Sequence, residues 1–110
     1  MENPGSFEVQ YAHPSVGKFV LALDAHTKAK IERLIGLFES RGPILGMPFT
    51  RKIVQHIFEL RVLGSPNARF LYTYKGRTIW ILHGISKKRD SIPAKDIARA
   101  QARMRAVLHI

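Results

Sequence analysis

The feature that most constrains the fold is a series of short alternating segments in the second half of the chain. Three such segments follow one another, over residues 57–63, 69–74 and 78–83. Ser65-Pro66-Asn67 separates the first two segments, Lys75-Gly76 separates the last two, and both linkers are typical of turns. Period-two alternation of apolar and polar residues indicates a strand with one face buried. The three segments therefore predict consecutive antiparallel strands.

The first half of the chain predicts one strand and two helices. Residues 6–11 alternate like a strand, and Pro14 opens an apolar segment that predicts a helix of about two turns. Asp24 is a suitable N-cap for a second helix that runs to about Arg41. The buried stripe predicted for this second helix consists of Ile31, Leu34, Ile35 and Phe38. Gly42-Pro43 ends it, and residues 42–50 are predicted to form a loop.

A last helix is predicted after Pro93, which suits a first helical turn. Its predicted apolar face consists of Ile97, Ala100, Met104 and Leu108. Its predicted charged face consists of Lys95, Arg99 and Arg103. The element order is then β-α-α-β-β-β-α, which predicts an α+β fold with a small antiparallel sheet, an N-terminal αα-hairpin and a C-terminal helix. We expect one domain over residues 1–110, since the chain is too short for two cores.

The charge distribution points to a polyanionic partner. The net charge is +10, and all of it lies in residues 51–110, because residues 1–50 carry equal numbers of basic and acidic side chains. Such a surface favours nucleic acid, whereas a membrane helix would set Trp or Phe opposite its charges. No apolar run approaches the roughly 20 residues that span a bilayer, and no secretion signal is apparent. With no cysteine, the chain suits a reducing compartment, and we expect a cytoplasmic protein.

Several kinds of chemistry find no support in the sequence. The five histidines are widely spaced, and none has a partner at metal-ligand spacing, so we expect no metal site. No glycine-rich phosphate loop follows a predicted strand, so we expect no nucleotide cofactor. The histidines are His13, His26, His56, His83 and His109.

Basic and aromatic residues on the predicted sheet form a candidate RNA site. The basic members are Arg61, Arg69, Lys87, Lys88 and Arg89, with His56 and His83 nearby in sequence. Tyr72 alternates with Tyr74 on the middle strand, where it could stack on bases or pack in the core. Metal-free RNA cleavage needs a base for the 2′-hydroxyl, a cation for the phosphate and an acid for the leaving oxygen. Lysine, arginine and histidine can supply these functions.

Four short sequence motifs occur in an order known from one family. The chain reads Phe58-Glu59-Leu60-Arg61, then Arg69 to Tyr72, then Ile-Leu-His-Gly-Ile-Ser-Lys-Lys from Ile81, then Pro93 before an Ala- and Arg-rich helix. Over about residues 7–106 it resembles the RelE/ParE toxin superfamily, in particular the HigB-like, phage-derived branch.

The resemblance implies the toxin of a type II toxin–antitoxin module that cleaves translated mRNA at the ribosome without a metal ion. A helix-turn-helix antitoxin is the implied partner. Carried over residue by residue, the implied catalytic residues are Arg61, Arg69, Lys87 and Lys88, with Arg89 adjacent. From the basic and aromatic pattern of the predicted sheet, Arg89, His83, His56 and Tyr72 are candidates for RNA binding. A ParE-like gyrase poison and a non-catalytic nucleic-acid-binding module are the alternatives.

The chain also departs from the family pattern. Glu59 stands where RelE-type enzymes carry a basic residue, and no tyrosine follows the basic run 87–89. Glu59 could act as a base, but we favour an ion pair with Arg61 or Arg69. Strict alternation beyond Trp80 predicts that His83 and Lys87 share one face, opposite Trp80.

Overall fold

A computed structural model describes residues 6–42, 50–62, 68–86 and 91–110. These residues form five strands and three helices. In chain order the elements are β1 (Glu8–Tyr11), α1 (Pro14–Leu21), α2 (Ala25–Arg41), β2 (Thr50–Val54), β3 (Ile57–Arg61), β4 (Ala68–Lys75), β5 (Thr78–Ser86) and α3 (Ala94–Leu108). The predicted α+β class and all three helices are confirmed. None of the helices in the described ranges has the length and apolar character required to cross a bilayer.

The five strands form one sheet in the order β1-β5-β4-β3-β2. The β3–β4 and β4–β5 pairs are antiparallel, as predicted from the short connections, and the β2–β3 pair is antiparallel too. β1 pairs with β5 in parallel, so the expectation of a wholly antiparallel sheet is wrong at this edge. The reason is that β1 is joined to β5 through two helices and three strands, and a long crossover permits parallel pairing.

Strand β2 was not expected, since the sequence predicted a loop over residues 42–50 and no further strand before Ile57. Arg51 and Lys52 interrupt its apolar pattern, and its turn to β3 contains no glycine. His56 occupies that turn with a φ of 65°, a left-handed conformation that a sequence pattern flags mainly through glycine or asparagine. Residues 43–49 of the predicted loop lie outside the described residues.

The helix pair follows its local signals. The Asp24 side chain accepts hydrogen bonds from the Thr27 backbone N–H and hydroxyl at 2.8 and 2.9 Å, so it caps α2 as predicted. Gly42 ends the helix with a φ of 55°. From the predicted stripe, Ile31, Leu34 and Phe38 are buried, while Ile35 is partly buried.

Helices cover both faces of the sheet, so the protein has two core layers. α1 and α2 cover one face, where an aromatic cluster includes Phe38 and Tyr72 with ring centroids 4.8 Å apart. α3 covers part of the other face, where Ala100 and Met104 pack against Leu71. Because α3 contacts mainly β4 and β5, the part of this sheet face that β3 and β2 form has room for polar side chains.

Candidate functional site

An ion cluster occupies the α3 face of the sheet toward the β2 edge. We call Glu59, Arg51, Arg61 and Arg69 the arginine cluster. Oε1 of Glu59 accepts hydrogen bonds from Nε of Arg51 at 2.9 Å and from Nε of Arg61 at 3.0 Å. Oε2 accepts one from Nη1 of Arg69 at 3.2 Å. The expectation that Glu59 pairs with Arg61 or Arg69 is confirmed for both arginines.

Strand register brings these four residues together. Glu59 and Arg61 are two positions apart on β3, so their side chains leave the same face. Arg51 of β2 lies opposite Glu59, and Arg69 of β4 lies opposite Arg61. Sequence reasoning missed Arg51, because β2 itself was not predicted. A regular two-residue hairpin would set Lys52 opposite Glu59. The pairing instead shifts by one residue between Lys52 and Val54, which brings Arg51 opposite Glu59.

The cluster is a net cationic site built on a buried carboxylate. Three guanidinium groups surround one carboxylate, and Glu59 is fully buried. Burial alone would raise the pKa of Glu59, but the Arg61 hydrogen bond and the charges of Arg51 and Arg69 lower it below its ordinary value. A carboxylate with a lowered pKa and both oxygens occupied is a poor proton acceptor. Glu59 therefore holds the arginines in place and is not suited to be the general base.

The arginines differ in how far they reach solvent. The side chains of Arg51 and Arg61 are 34% and 26% exposed, whereas that of Arg69 is 10% exposed. Guanidinium groups present several N–H donors in a planar fork that matches phosphate oxygens. Partly exposed edges of Arg51 and Arg61 above a buried counter-ion therefore form a surface that suits a phosphate group.

The end of β5 adjoins this surface. Ile85 pairs with Arg69, and Ser86 pairs with Ala68, so the described chain leaves the sheet beside the arginine cluster. The predicted catalytic residues Lys87 and Lys88 and the predicted RNA-binding residue Arg89 follow directly, but they lie outside the described residues. Their roles stay predictions.

His83 is engaged within the protein and is not presented to a ligand. Its side chain is 10% exposed, with Nε2 2.8 Å from Oδ1 of Asp96 and Nδ1 3.5 Å from Nη1 of Arg103. Since both ring nitrogens have protein partners, the predicted role of His83 in RNA binding is not supported. Arg103 also donates to the Leu82 carbonyl at 2.8 Å, so it is not part of a solvated charged face as expected.

A bulge in β5 explains the position of His83. Leu71 pairs with His83, but the next residue, Tyr72, pairs with Ile81, which leaves Leu82 as an extra residue. The alternation is broken at this point. His83 therefore contacts α3, against which Trp80 also packs, and the expectation that His83 lies opposite Trp80 is wrong.

Gly84, next to His83, meets the other helical layer. A Cβ at position 84 would overlap the ring of Phe19 from α1, so this position requires glycine.

Two further predicted RNA-binding residues lie elsewhere. His56 is exposed, but it occupies the turn before β3, about 16 Å along the strand from Arg61 at its far end. Tyr72 is 1% exposed and belongs to the core under α1 and α2, on the sheet face opposite the arginine cluster. Burial also raises its pKa. The structure therefore corrects both expectations: Tyr72 is a core residue, and His56 is not brought to the cluster.

Across the described ranges, no three histidine, aspartate or glutamate side chains come together to hold a metal ion.

Comparisons with known proteins agree with this architecture. Residues 18–105 match the family described as "Phage derived protein Gp49-like (DUF891)". Among solved structures, the fold is similar to a chain in the crystal structure of an archaeal RelE-RelB complex from Pyrococcus horikoshii OT3. The TM-score is 0.60 at 18% sequence identity, and the match covers 76% of this chain and 98% of that chain. No curated protein matches the sequence.

Proposed function

Because this chain belongs to the phage-derived Gp49-like family and has a RelE-like fold, we propose that it is the toxin of a type II toxin–antitoxin module and an endoribonuclease. The proposed substrate is mRNA under translation at the ribosome. The arginine cluster is the observation that carries this proposal, since three guanidinium groups converge where a phosphate can approach. The resemblance described above adds Lys87, Lys88 and Arg89 beyond the end of β5.

The proposed reaction requires charge stabilisation and two proton transfers. The 2′-oxygen of a ribose forms a bond to the adjacent phosphorus while the bond from phosphorus to the 5′-oxygen breaks. This produces a 2′,3′-cyclic phosphate and a 5′-hydroxyl. Arg61 and Arg69 are proposed to stabilise the extra negative charge of the pentavalent phosphate, with Arg51 at the rim.

The proton transfers need other groups, because Glu59 and His83 are both engaged. We assign them to Lys87 and Lys88, since a lysine crowded by other cations gives up its proton more readily. The proton from the 2′-hydroxyl goes to one lysine in its neutral form, and the other lysine donates a proton to the 5′-oxygen. The proposal needs no metal ion and no cofactor.

The proposed partner is a protein antitoxin. The archaeal RelE was crystallised with RelB, which supports a protein partner for this chain too. The sequence resemblance specifies a helix-turn-helix antitoxin encoded next to the toxin.

Primer extension on a translated mRNA, after brief induction of the protein in cells, tests this function. We expect new 5′ ends in the wild type that are absent with Arg69→Ala and present with Arg33→Ala, an exposed arginine on α2. Removing the start codon of the reporter mRNA should abolish these ends. Double-strand DNA breaks with an SOS response and intact mRNA would identify a gyrase poison instead. Neither effect would identify a passive binding module.

A further inference from the structure

A second cationic feature lies on the α3 face, toward the opposite edge of the sheet. It is a groove of about 440 Å³ between the β1–α1 corner, β5 and the C-terminal half of α3. The lining side chains used here are His13, Lys75, Trp80, Arg103, Val107 and His109. The arginine cluster lies toward β2, and Lys75 is about 20 Å along β4 from Arg69. The groove is therefore a separate surface from the proposed catalytic site.

The two permanent cations of the groove are held by backbone carbonyls. Nζ of Lys75 donates to the Val107 carbonyl at 3.1 Å, and Nη1 of Arg103 donates to the Leu82 carbonyl at 2.8 Å. These contacts position the charges without neutralising them. No carboxylate lines the groove within the described residues. The site therefore favours an anionic ligand.

Trp80 gives the groove an aromatic wall. Its side chain is half-buried, packing on one side against the core under α3 and on the other lining the groove. An indole face beside an apolar floor accepts a planar aromatic ring, and nucleic-acid bases stack on such faces independently of sequence. A planar apolar group next to an anionic group is the chemistry of a nucleotide.

We propose that this groove binds a nucleotide of single-stranded RNA, with the base on Trp80 and the phosphate near Lys75 and Arg103. The proposal rests on the proposed function, since it gives the same RNA strand a second contact away from the cleaved bond. Such a contact lowers the Kd and the KM for RNA without changing the chemical step.

The chain contains a single tryptophan, so its fluorescence reports on this groove alone. The probe is a ten-nucleotide 2′-O-methyl oligoribonucleotide, which cannot be cleaved because its 2′-oxygens are blocked. Binding is followed in parallel by the anisotropy of a label on the RNA. We expect saturable quenching of Trp80 fluorescence with the same midpoint as the anisotropy change, and quenching that persists in Arg69→Ala.

Lys75→Glu is the test variant, and Arg105→Glu is its matched control. Arg105 is exposed on α3 and does not line the groove. Each variant replaces a cation by a carboxylate, so both change the net charge equally. We expect Lys75→Glu to weaken binding about tenfold, because a charge-assisted contact is lost. Arg105→Glu should change binding by about twofold at most, since Arg105 does not line the groove and salt screens exposed charges. Circular dichroism confirms that both variants fold.

The outcomes separate this proposal from the proposed function. Anisotropy change without quenching, or equal weakening by Lys75→Glu and Arg105→Glu, would overturn the groove and leave cleavage at the arginine cluster standing. Equal quenching by polyglutamate would also overturn it, because the groove would then accept acidic peptide. If the oligonucleotide does not bind at all, the groove proposal fails. The primer extension assay then decides the proposed function independently.

Discussion

Replacing Glu59 by glutamine tests how far the arginine cluster depends on its buried carboxylate. Glutamine has the same shape, but it keeps one acceptor oxygen and turns an NH₂ group toward at least one guanidinium. Three contacts at 2.9, 3.0 and 3.2 Å are affected. Removing one partner of a buried ion pair costs about 3–5 kcal/mol, because the remaining charge is left uncompensated.

The exposure of the arginines places the cost at the lower end of that range. Arg51 and Arg61 are 34% and 26% exposed and can turn to solvent, whereas Arg69 at 10% cannot. We therefore expect Glu59→Gln to lose about 3 kcal/mol of unfolding free energy. With an unfolding entropy of about 2.1 cal/mol/K per residue, the Tm falls by about 13 °C. Thermal unfolding followed by circular dichroism measures it.

The pH dependence identifies the cause of that loss. Because the folded-state pKa of Glu59 is lowered, its contribution to stability is present above the ordinary value of 4.5 and is lost as the pH falls through the folded-state pKa. The Tm gap between wild type and Glu59→Gln should therefore be largest near neutral pH and shrink below pH 4.5. Glu32→Gln, an exposed position on α2, is the control and should change stability by less than about 0.5 kcal/mol. An equal Tm for Glu59→Gln and wild type at neutral pH, or a gap that persists unchanged in acid, would refute the reasoning.

Three further predictions concern activity and RNA binding. Arg69→Ala should lower the cleavage rate about 10²–10³-fold in a ribosome-dependent assay. Arg69→Lys should recover only part of it, because an ammonium group lacks the planar fork of a guanidinium. A folded Arg69→Ala variant that cleaves normally would contradict this. Cleavage should persist in EDTA once the ribosome's own Mg²⁺ requirement is controlled, since the reaction is assigned to arginine and lysine side chains. If EDTA abolishes cleavage and one specific divalent ion restores it, this assignment is wrong. RNA binding should weaken with salt at a log–log slope near −0.7 for each phosphate neutralised, and an affinity that is flat between about 50 and 200 mM salt would rule out the phosphate contacts.

The elements that local patterns define were predictable from the sequence. Asp24 and Gly42 mark the two ends of α2 as expected, and the three alternating segments form β3, β4 and β5. These signals depend on residues a few positions apart, such as an N-cap or a period of two or 3.6. The pairing of Glu59 with Arg61 and Arg69 was predictable for the same reason, since the β3–β4 connection is short.

The parts that the sequence did not predict depend on which elements pair or pack with one another and in which register. Arg51 joined the cluster only because β2 pairs with β3, and β1 became parallel only because the chain returns to that edge through β5. The bulge at Leu82 turned His83 toward α3, where Asp96 and Arg103 occupy its ring nitrogens.

Residue type and spacing specify which elements form, because the backbone geometry of each element repeats along the chain. Whether a side chain becomes a core residue, a buried ion pair or a surface ligand depends on what packs over it from elsewhere in the chain. Tyr72 and Arg69 lie on the same strand, three residues apart, and only the helices above and below the sheet decide that one is core and the other belongs to a cationic site.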